Sequence, residues 1–403
     1  MSEWLEKKVK ELCIIGRGRV ISQDEINSNL GIYPVFSSQT ANNGEMGKIE
    51  SYDFDGEYVT WTTDGANAGT VFYRSGKFNC TNVCGTLKEK EENTLDLRFF
   101  SYLLSTEAKK HVSYIGNPKL MNGIMADIKL NLPKDKPEQT RIAEILSTTD
   151  EAIAQTEALI AKYQRIKTGL MQDLLTKGID ENGNIRSKET HKFVVKNGIE
   201  VPEEWAVDNL GTIINAIDPQ PDHRTPAQVE NGIPYLGIND VDETGNIDYR
   251  KCRKVGINIL EEHNNRYQLR VGDIIFGKIG TIGEPKRLIN LENITLSANV
   301  ILIQPIENSD FIYWVLNSEN IKHQVNNSIH STSQPAFGME KIRALKISIP
   351  KPDEQERIGK LLNDAQENIF STTKQLIKLQ SIKIGLMQDL LSGKVRVKPN
   401  NKN

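Results

Sequence analysis

Gly169-Leu-Met-Gln-Asp-Leu-Leu175 recurs as Gly385-Leu-Met-Gln-Asp-Leu-Leu391, an offset of 216 residues. Each copy closes a long helical pattern. The patterns open at Pro137-Glu138-Gln139 and Asp353-Glu354-Gln355 and continue through Arg141-Ile142 and Arg357-Ile358 at the same offset. In the first, the seam steps by four and three through Ile142, Leu146, Thr149, Ile153, Thr156, Ile160, Tyr163, Ile166, Leu170 and Leu174. In the second it runs Ile358, Leu362, Ala365, Ile369, Thr372, Leu376, Leu379, Ile382, Leu386 and Leu390. Near-heptad spacing marks a coiled-coil seam rather than the broader stripe of a core helix. Each helix extends on the order of 50 Å at ~1.5 Å per residue and needs a partner of similar length, which the other copy supplies if the two pair antiparallel. Met171 and Met387 join the seam residues as helix-pair and partner-facing candidates.

A dissimilar segment precedes each helix, and the two segments share a weaker pattern. Trp4 and Trp205 open them, and Gly31-Ile-Tyr-Pro34 and Gly232-Ile-Pro-Tyr235 follow at the same spacing of 201 residues. Tyr58-Val-Thr-Trp61, with Gly65 and Gly69, parallels Ile274-Ile-Phe-Gly277, with Gly280 and Gly283. Thr81-Asn-Val83 parallels Ala298-Asn-Val300, and Asn117-Pro118 parallels Gln334-Pro335. Short Val/Ile/Phe-rich runs between Gly, Asn and Asp turns predict strands, as in Gly272–Phe276 and Asn299–Ile303. Phe99–Leu104 and Phe311–Leu316 predict short amphipathic helices. The fold class expected is α+β: two strand-rich domains separated by two long antiparallel helices, pseudo-twofold. The boundaries expected are a domain over 1–134, a helix over 135–178, a turn-rich connector over 179–200, a domain over 201–351, a helix over 352–397 and a polar tail over 398–403.

Composition narrows the function. The chain has 403 residues and a formal net charge of −3. Residues 1–132 hold 15 Lys+Arg against 17 Asp+Glu, and 201–353 hold 15 against 20. Any nucleic-acid binding must therefore rest on locally focused positive surface or on a partner that supplies more. Four scattered cysteines, Cys13, Cys80, Cys84 and Cys252, make no disulfide framework. With no apolar run of membrane length and a charged start, they point to a reducing cytoplasm.

Apparent catalytic motifs fail on chemistry. Gly272-Asp-Ile-Ile-Phe-Gly277-Lys278 begins like a phosphate-cradling loop, but Ile279 stands where Ser or Thr must bind magnesium. Pro352-Asp-Glu-Gln-Glu356 sits at a helix N-terminus, where acids complement the dipole. Asn117-Pro118-Lys119 and Asp218-Pro219-Gln220 do not make the Pro-Pro-aromatic turn of a DNA methyltransferase. The histidines His111, His191, His223, His263, His323 and His330 form no pair of ligand spacing. The expectation is a chain with no catalytic site, no metal and no cofactor of its own.

The Trp-led start, the variable domain, then Pro-x-x-Glu-Gln-x-Arg-Ile and a helix ending Leu-Met-Gln-Asp-Leu-Leu-Ser-Gly-Lys-Val-Arg-Val resemble the DNA-specificity subunit of type I restriction–modification systems. The likeness runs from Trp4 to Val397 and is strongest over Glu138–Leu175 and Glu354–Val397. Pro133–Gln139 carries one residue more than Pro350–Gln355, which shifts a helix entry. The resemblance implies two target-recognition domains, each reading half of a split, asymmetric DNA sequence, with the helices setting the gap. It implies docking of two methyltransferase subunits that carry S-adenosylmethionine and modify adenine. It also implies two restriction subunits using ATP and magnesium, all outside this chain. Alternatives from other classes are a coiled-coil scaffold binding protein or glycan, and an enzyme with an unrecognised site.

Base reading needs donors and acceptors that reach the major groove, with Arg and Lys favouring guanine and Asn and Gln adenine. Loop positions supply the candidates. In the first domain they are Arg17, Arg19, Ser37, Ser38, Gln39, Thr62, Thr63, Asp64, Asn67, Arg74, Asn117 and Lys119. In the second they are Arg224, Asn239, Lys278, Thr281, Lys286, Arg287, His330, Ser331, Thr332, Ser333 and Gln334. Tyr33, Trp61 and Tyr235 are either edge contacts or core. Gly65, Gly69, Gly280 and Gly283 are expected at tight turns more than at phosphates.

Overall fold

The computed structural model describes residues 3–222, 224–329 and 336–398. The chain divides into two compact units, one made of residues 1–158 and 373–403, the other of 159–372. Two helices, Lys136–Thr176 and Pro352–Leu391, contribute residues to both.

The globular part of the first unit is built on a four-stranded antiparallel sheet in the order Cys13–Arg17, Cys84–Glu89, Glu57–Thr62, Val71–Ser75. Beside it in the sequence stand a three-stranded sheet, Glu45–Ile49, Leu30–Phe36, Asn79–Cys80, and a pair, Trp4–Lys8 with Lys129–Pro133. The second unit repeats this plan strand for strand. Its four-stranded sheet runs Ile214–Ile217, Val300–Pro305, Ile274–Gly277, Pro285–Arg287. Its three-stranded sheet runs Arg253–Val255, Ile233–Leu236, Thr295–Leu296, and its pair is Ala206–Asn209 with Lys346–Ile349. Even the parallel strand pairing recurs, Phe36 against Cys80 and Leu236 against Leu296. A strand order this particular, kept while the letters changed, identifies an internal duplication.

The ladders correct two alignments drawn from letters. Trp61 faces Gly85, and Phe276 faces Ile301, so Trp61 matches Phe276 rather than Gly277. Thr81 N donates to Phe36 O as Ser297 N donates to Leu236 O, so Thr81 matches Ser297 rather than Ala298. A one-residue slip in a strand exchanges its faces, and the packing shows which register holds. A Cβ on Gly85 would lie 2.1 Å from the Trp61 ring. The second unit fills the same space with a smaller ring and a larger partner.

Leu97–Glu107 and Ser309–Leu316 are helices, as their patterns predict, and each packs its apolar face into the core of its unit. The expected connector contains a hairpin, Phe193–Lys196 against Ile199–Pro202. Its two-residue turn, Asn197-Gly198, has both φ positive, at 50° and 81°, which suits the twist of a two-residue hairpin.

Within each unit the long helices pair antiparallel. In the first, Glu138 meets Arg396 and Asp150 meets Lys383. In the second, Lys167 meets Gln366, and the backbone of Ile179 meets Glu354. The seam holds at Ile142, Leu146, Leu174, Ile358, Leu362, Ile369 and Leu390, all buried. The terminal members do more than pack helix on helix. Ile142, Leu146 and Leu390 enter the core of the first domain, and Leu174, Ile358 and Leu362 that of the second, with Met387 and Met171 against them.

Ile166 and Ile382 depart from the expectation and are exposed. At about 100° per residue, each lies about 120° around the helix from Ile142 or Ile358, whereas the next residue lies about 20° away. Lys167 and Lys383 therefore occupy the seam, laying apolar stems along it. Lys167 Nζ donates to Gln366 Oε1 at 2.9 Å and Lys383 Nζ lies 2.5 Å from Asp150 Oδ1, the same contact made once with an amide and once with a carboxylate.

Candidate nucleic-acid interface

In the first unit, the strand Cys13–Arg17 ends at the same edge where Glu57–Thr62 runs into its turn, and three charged side chains meet there. Arg17 Nη2 donates to Thr63 Oγ1 at 3.0 Å and to Asp64 Oδ2 at 3.2 Å, while its Nε donates to Asn82 O at 2.5 Å. Lys119 Nζ lies 3.6 Å from Asp64 Oδ1. Asp64 thus sits between two cations whose side chains are 35% and 50% exposed.

The equivalent edge of the second unit carries the opposite polarity. Carried one residue past their ends, the ladders place Asp218 where the first unit has Arg17, and Lys278 where it has Thr63, with Lys278 N donating to Asn299 O as Thr63 N does to Val83 O. Lys278 Nζ and Asp218 Oδ2 form an ion pair of 2.5 Å with both side chains nearly buried. One scaffold therefore carries an ion pair in opposite orientations at the same place, accessible in the first unit and nearly buried in the second.

Several candidates are placed elsewhere by the structure. Thr62 and Thr63 are buried, so their side chains lie beneath the surface. Arg19 is held by Glu25 at 2.6 Å and Asp53 at 3.0 Å; the Glu25 hydrogen bond raises its pKa. Arg74 is buried between Phe36 and Phe72, 3.6 and 4.4 Å from the ring centres, and donates to Asn43 O at 2.8 Å. Burial pulls its pKa down to about 10, and it acts as a packing cation under the loop. Arg287 makes a 2.5 Å pair with Asp310, donates to Asn363 Oδ1 at 2.6 Å and covers the Tyr313 ring. It ties the sheet to the second long helix. Lys278 is spent on Asp218. These arginines and lysines look like surface donors in sequence because nothing local shows the carboxylates and rings that fold onto them.

Other candidates remain on the surface. Gln39, Asn67, Asn117, Lys119, Arg224 and Asn239 are exposed, and Ser37, Ser38, Thr281 and Lys286 are half-buried. Arg17 is exposed but hydrogen-bonded as described. His330, Ser331, Thr332, Ser333 and Gln334 lie outside the described residues, as does His223. Trp61 is core, donating from Nε1 to Leu120 O at 2.9 Å, and Tyr235 is core with its hydroxyl on Gln220. Tyr33 packs edge-on against Tyr52. Gly65, Gly69, Gly280 and Gly283 all have φ between 80° and 91°, as turns require. Tyr114 and Ile115, beside Asn117 and Lys119, stand out fully from the surface; the turn pattern Gly-Asn-Pro that follows them was their one signal in sequence.

Acids stand in the first turn of the second long helix, as expected, and one of them, Glu354, also has partners of its own. Glu354 is buried, takes Arg186 at 2.5 Å and 3.2 Å, and accepts from Trp205 Nε1 at 3.1 Å. Gln139 and Gln355 each donate to the carbonyl of the proline that precedes the helix, Pro133 at 2.9 Å and Pro350 at 3.1 Å. The repeated Glu-Gln is thus a clasp between helix and domain. Among the described residues no three His, Cys, Asp or Glu side chains gather as metal donors, and no helix is long and apolar enough to cross a membrane.

A family model described as the type I restriction modification DNA specificity domain matches residues 1–165 and 202–381. The N-terminal piece of a candidate type I specificity subunit from Mycoplasma pneumoniae is 51% identical over 142 residues, 35% of this chain and 75% of that protein. The chain spans only 42 to 58% of the length of six further relatives from the same bacterium. The specificity subunit of a type I restriction enzyme from Methanocaldococcus jannaschii is 27% identical over 393 residues, 92% of this chain and 88% of that protein. Among solved structures, the type I restriction–modification S subunit from M. genitalium superposes with a TM-score of 0.67 and 17% identity over 96% of both chains. At that identity the likeness is one of fold.

Proposed function

Since the chain belongs to the type I restriction–modification DNA-specificity family, we propose that it is the non-catalytic sequence reader of such a complex, with each strand-rich domain recognising one half of a bipartite, asymmetric DNA target. The observation that carries this reading is the transposed charge. Arg17 and Asp64 in one domain, and Asp218 and Lys278 in the other, occupy matching edges of one duplicated scaffold. Two copies of one reader would serve a palindrome; two copies with opposite polarity at the same edge serve two different half-sites. Methyltransferase subunits supply S-adenosylmethionine chemistry at adenine, and restriction subunits supply ATP-driven cleavage with magnesium. Within each unit the helices offer partners an exposed isoleucine, Ile382 in the first and Ile166 in the second. The modest overall charge fits a subunit whose partners share the work of holding the duplex.

The test is a genome-wide map of methylated adenine with and without this gene. A split motif that disappears with the gene supports the reading. Exchanging residues 1–134 for another recognition domain then changes one half of that motif and leaves the other. No gene-dependent motif, or a change in both halves, overturns it.

A further inference from the structure

The loop from Val112 to Leu120 is a closed finger. Ser113 and Lys119 exchange two backbone hydrogen bonds of 2.9 Å, making a short two-stranded neck. Gly65 N donates to Pro118 O and Leu120 N to Thr63 O, both at 2.9 Å, so the neck is pinned to the turn that carries Asp64. The tip is Tyr114-Ile115-Gly116-Asn117, turned by Gly116 at φ +75°. Ile115 is 95% and Tyr114 72% exposed, and Asn117 is exposed beside them.

A single exposed apolar side chain is ordinary on a protein surface. Two in succession at the end of a pinned loop are an apolar tip with its conformational entropy already spent. The surroundings say what it meets. Lys109, Lys110 and His111 are exposed immediately before the finger, and Arg17 and Lys119 stand at its foot, against Asp64 and Glu107. Four cations against two carboxylates leave a locally positive surface that the whole-domain charge lacks, and it suits a phosphate backbone near the tip.

We propose that this finger enters the major groove and reads a thymine–adenine pair in the half-site of the first domain, Ile115 packing on the thymine C5-methyl and Asn117 offering its amide to the adenine edge. The inference rests on the recognition reading above. The major groove, about 12 Å wide, admits a two-stranded ribbon. Thymine alone among the bases presents a methyl group there, and adenine's N6 and N7 match the donor and acceptor of an asparagine amide. Asn117 beside the apolar tip favours edge reading over a wedge between base steps, which needs no polar reader.

The experiment uses the complex as isolated from its host and labelled duplexes carrying the mapped motif. Thymines in the half-site assigned to residues 1–134 are replaced one at a time by uracil, which removes only the methyl. The wild-type complex should lose about fourfold in affinity at one position, the worth of one buried methyl group. Ile115→Ser should lose a similar factor with thymine present and become indifferent to uracil, with Ile115→Val close to wild type and the other half-site unchanged. Since Ile115 touches almost nothing, the fold is spared, and a thermal melt checks this. A half-site without a thymine–adenine pair, an Ile115→Ser complex that still senses uracil, or one that binds as wild type overturns the finger while leaving the recognition reading intact. Loss of methyltransferase from the Ile115→Ser complex would assign the tip to a protein partner and also overturn it. A wild-type complex with no sequence preference removes both proposals together.

Discussion

The guanidinium of Arg396 holds the carboxylate of Glu138 with two hydrogen bonds, 2.6 Å from Nε and 2.7 Å from Nη2, across 258 residues of sequence. The tail after the second long helix thereby returns to the start of the first. Arg186, after the first long helix, holds Glu354 at the start of the second in the same way. Each clasp has its tryptophan and its glycine: Trp4 lies against Gly393, and Trp205 against Gly178. A Cβ at Gly178, where φ is +67°, would stand 2.2 Å from Glu354 Oε1. The duplication therefore extends to the joints.

Removing one side of such a pair strands a buried carboxylate, at a cost of about 3 to 5 kcal/mol. Arg186→Ala should destabilise the second unit by that amount, because Arg186 and Glu354 are 7% and 4% exposed. Arg396→Ala should destabilise the first unit less than Arg186→Ala destabilises the second, since Arg396 is 23% exposed. Urea unfolding followed by tryptophan fluorescence measures both. Adding Glu354→Gln to Arg186→Ala should recover part of the loss, and strict additivity would contradict the pairing.

His263 links stability to pH. It is buried in the second unit with Nδ1 on the Thr295 hydroxyl and 3.1 Å from the Tyr267 hydroxyl. Burial, then Arg266, lowers its pKa, against weaker opposing effects of Glu262 and Asp222. The unfolded chain then binds a proton that the folded chain refuses. Stability is full above the ordinary histidine value near 6.5 and falls as pH drops below it, by at most about 1.4 kcal/mol per pH unit for one proton. The slope of unfolding free energy between pH 7 and 5 should shrink in His263→Gln, by at most one proton. An unchanged slope would exclude His263 as its source.

Asp64 restrains the two cations at the edge of the first domain. Asp64→Asn should leave Arg17 and Lys119 free to meet phosphates, raising affinity for unrelated duplex DNA. The plot of log affinity against log salt should steepen by about 0.9 for each phosphate newly engaged. Binding titrations at several salt concentrations read this directly. A slope equal to that of wild type would show that the carboxylate holds nothing back.

Helix length should set the gap between half-sites. Seven residues added to each long helix lengthen it by about 10 Å at ~1.5 Å per residue, or about three base pairs at 3.4 Å each. Methylated-adenine mapping should return both halves of the motif unchanged with a wider gap. An unaltered gap would show that the helices do not set it.

Much of the fold was legible in sequence because the signals are local or repeated. The helices announced themselves by their period and their offset of 216 residues. The strands announced themselves by Val/Ile runs such as Val300–Ile303 between turn residues. The short helices at Phe99 and Phe311 followed from their apolar faces. Ile166 and Ile382 misled because a seven-residue template, carried over twenty-four residues, drifts from a helix with 3.6 residues per turn. The one-residue slips at Trp61 and Thr81 arose because letters align on identity, whereas strands align on which face is filled.

The interface was less legible. Exposure of Asn117 and Lys119 could be guessed from Gly-Asn-Pro. The burial of Arg74 under Phe36, and the capture of Arg287 by Asp310 and Asn363, could not, because those partners lie 23 to 76 residues away; only Phe72, two residues before Arg74 on its own strand, is local. The exposure of Tyr114 and Ile115 follows from the hairpin neck, which turns two apolar side chains outward.

Sequence alone determined that this chain is a duplication with two long helices and two unlike domains, since periodicity and repetition are properties of order along a chain. Tertiary structure alone decided which charges remain available at each domain edge, that Arg17 and Asp218 are counterparts of opposite sign, and that Glu138 and Glu354 are clasps. Those facts depend on which side chains meet, and side chains hundreds of residues apart become neighbours only when burial of the apolar cores fixes the register between strands.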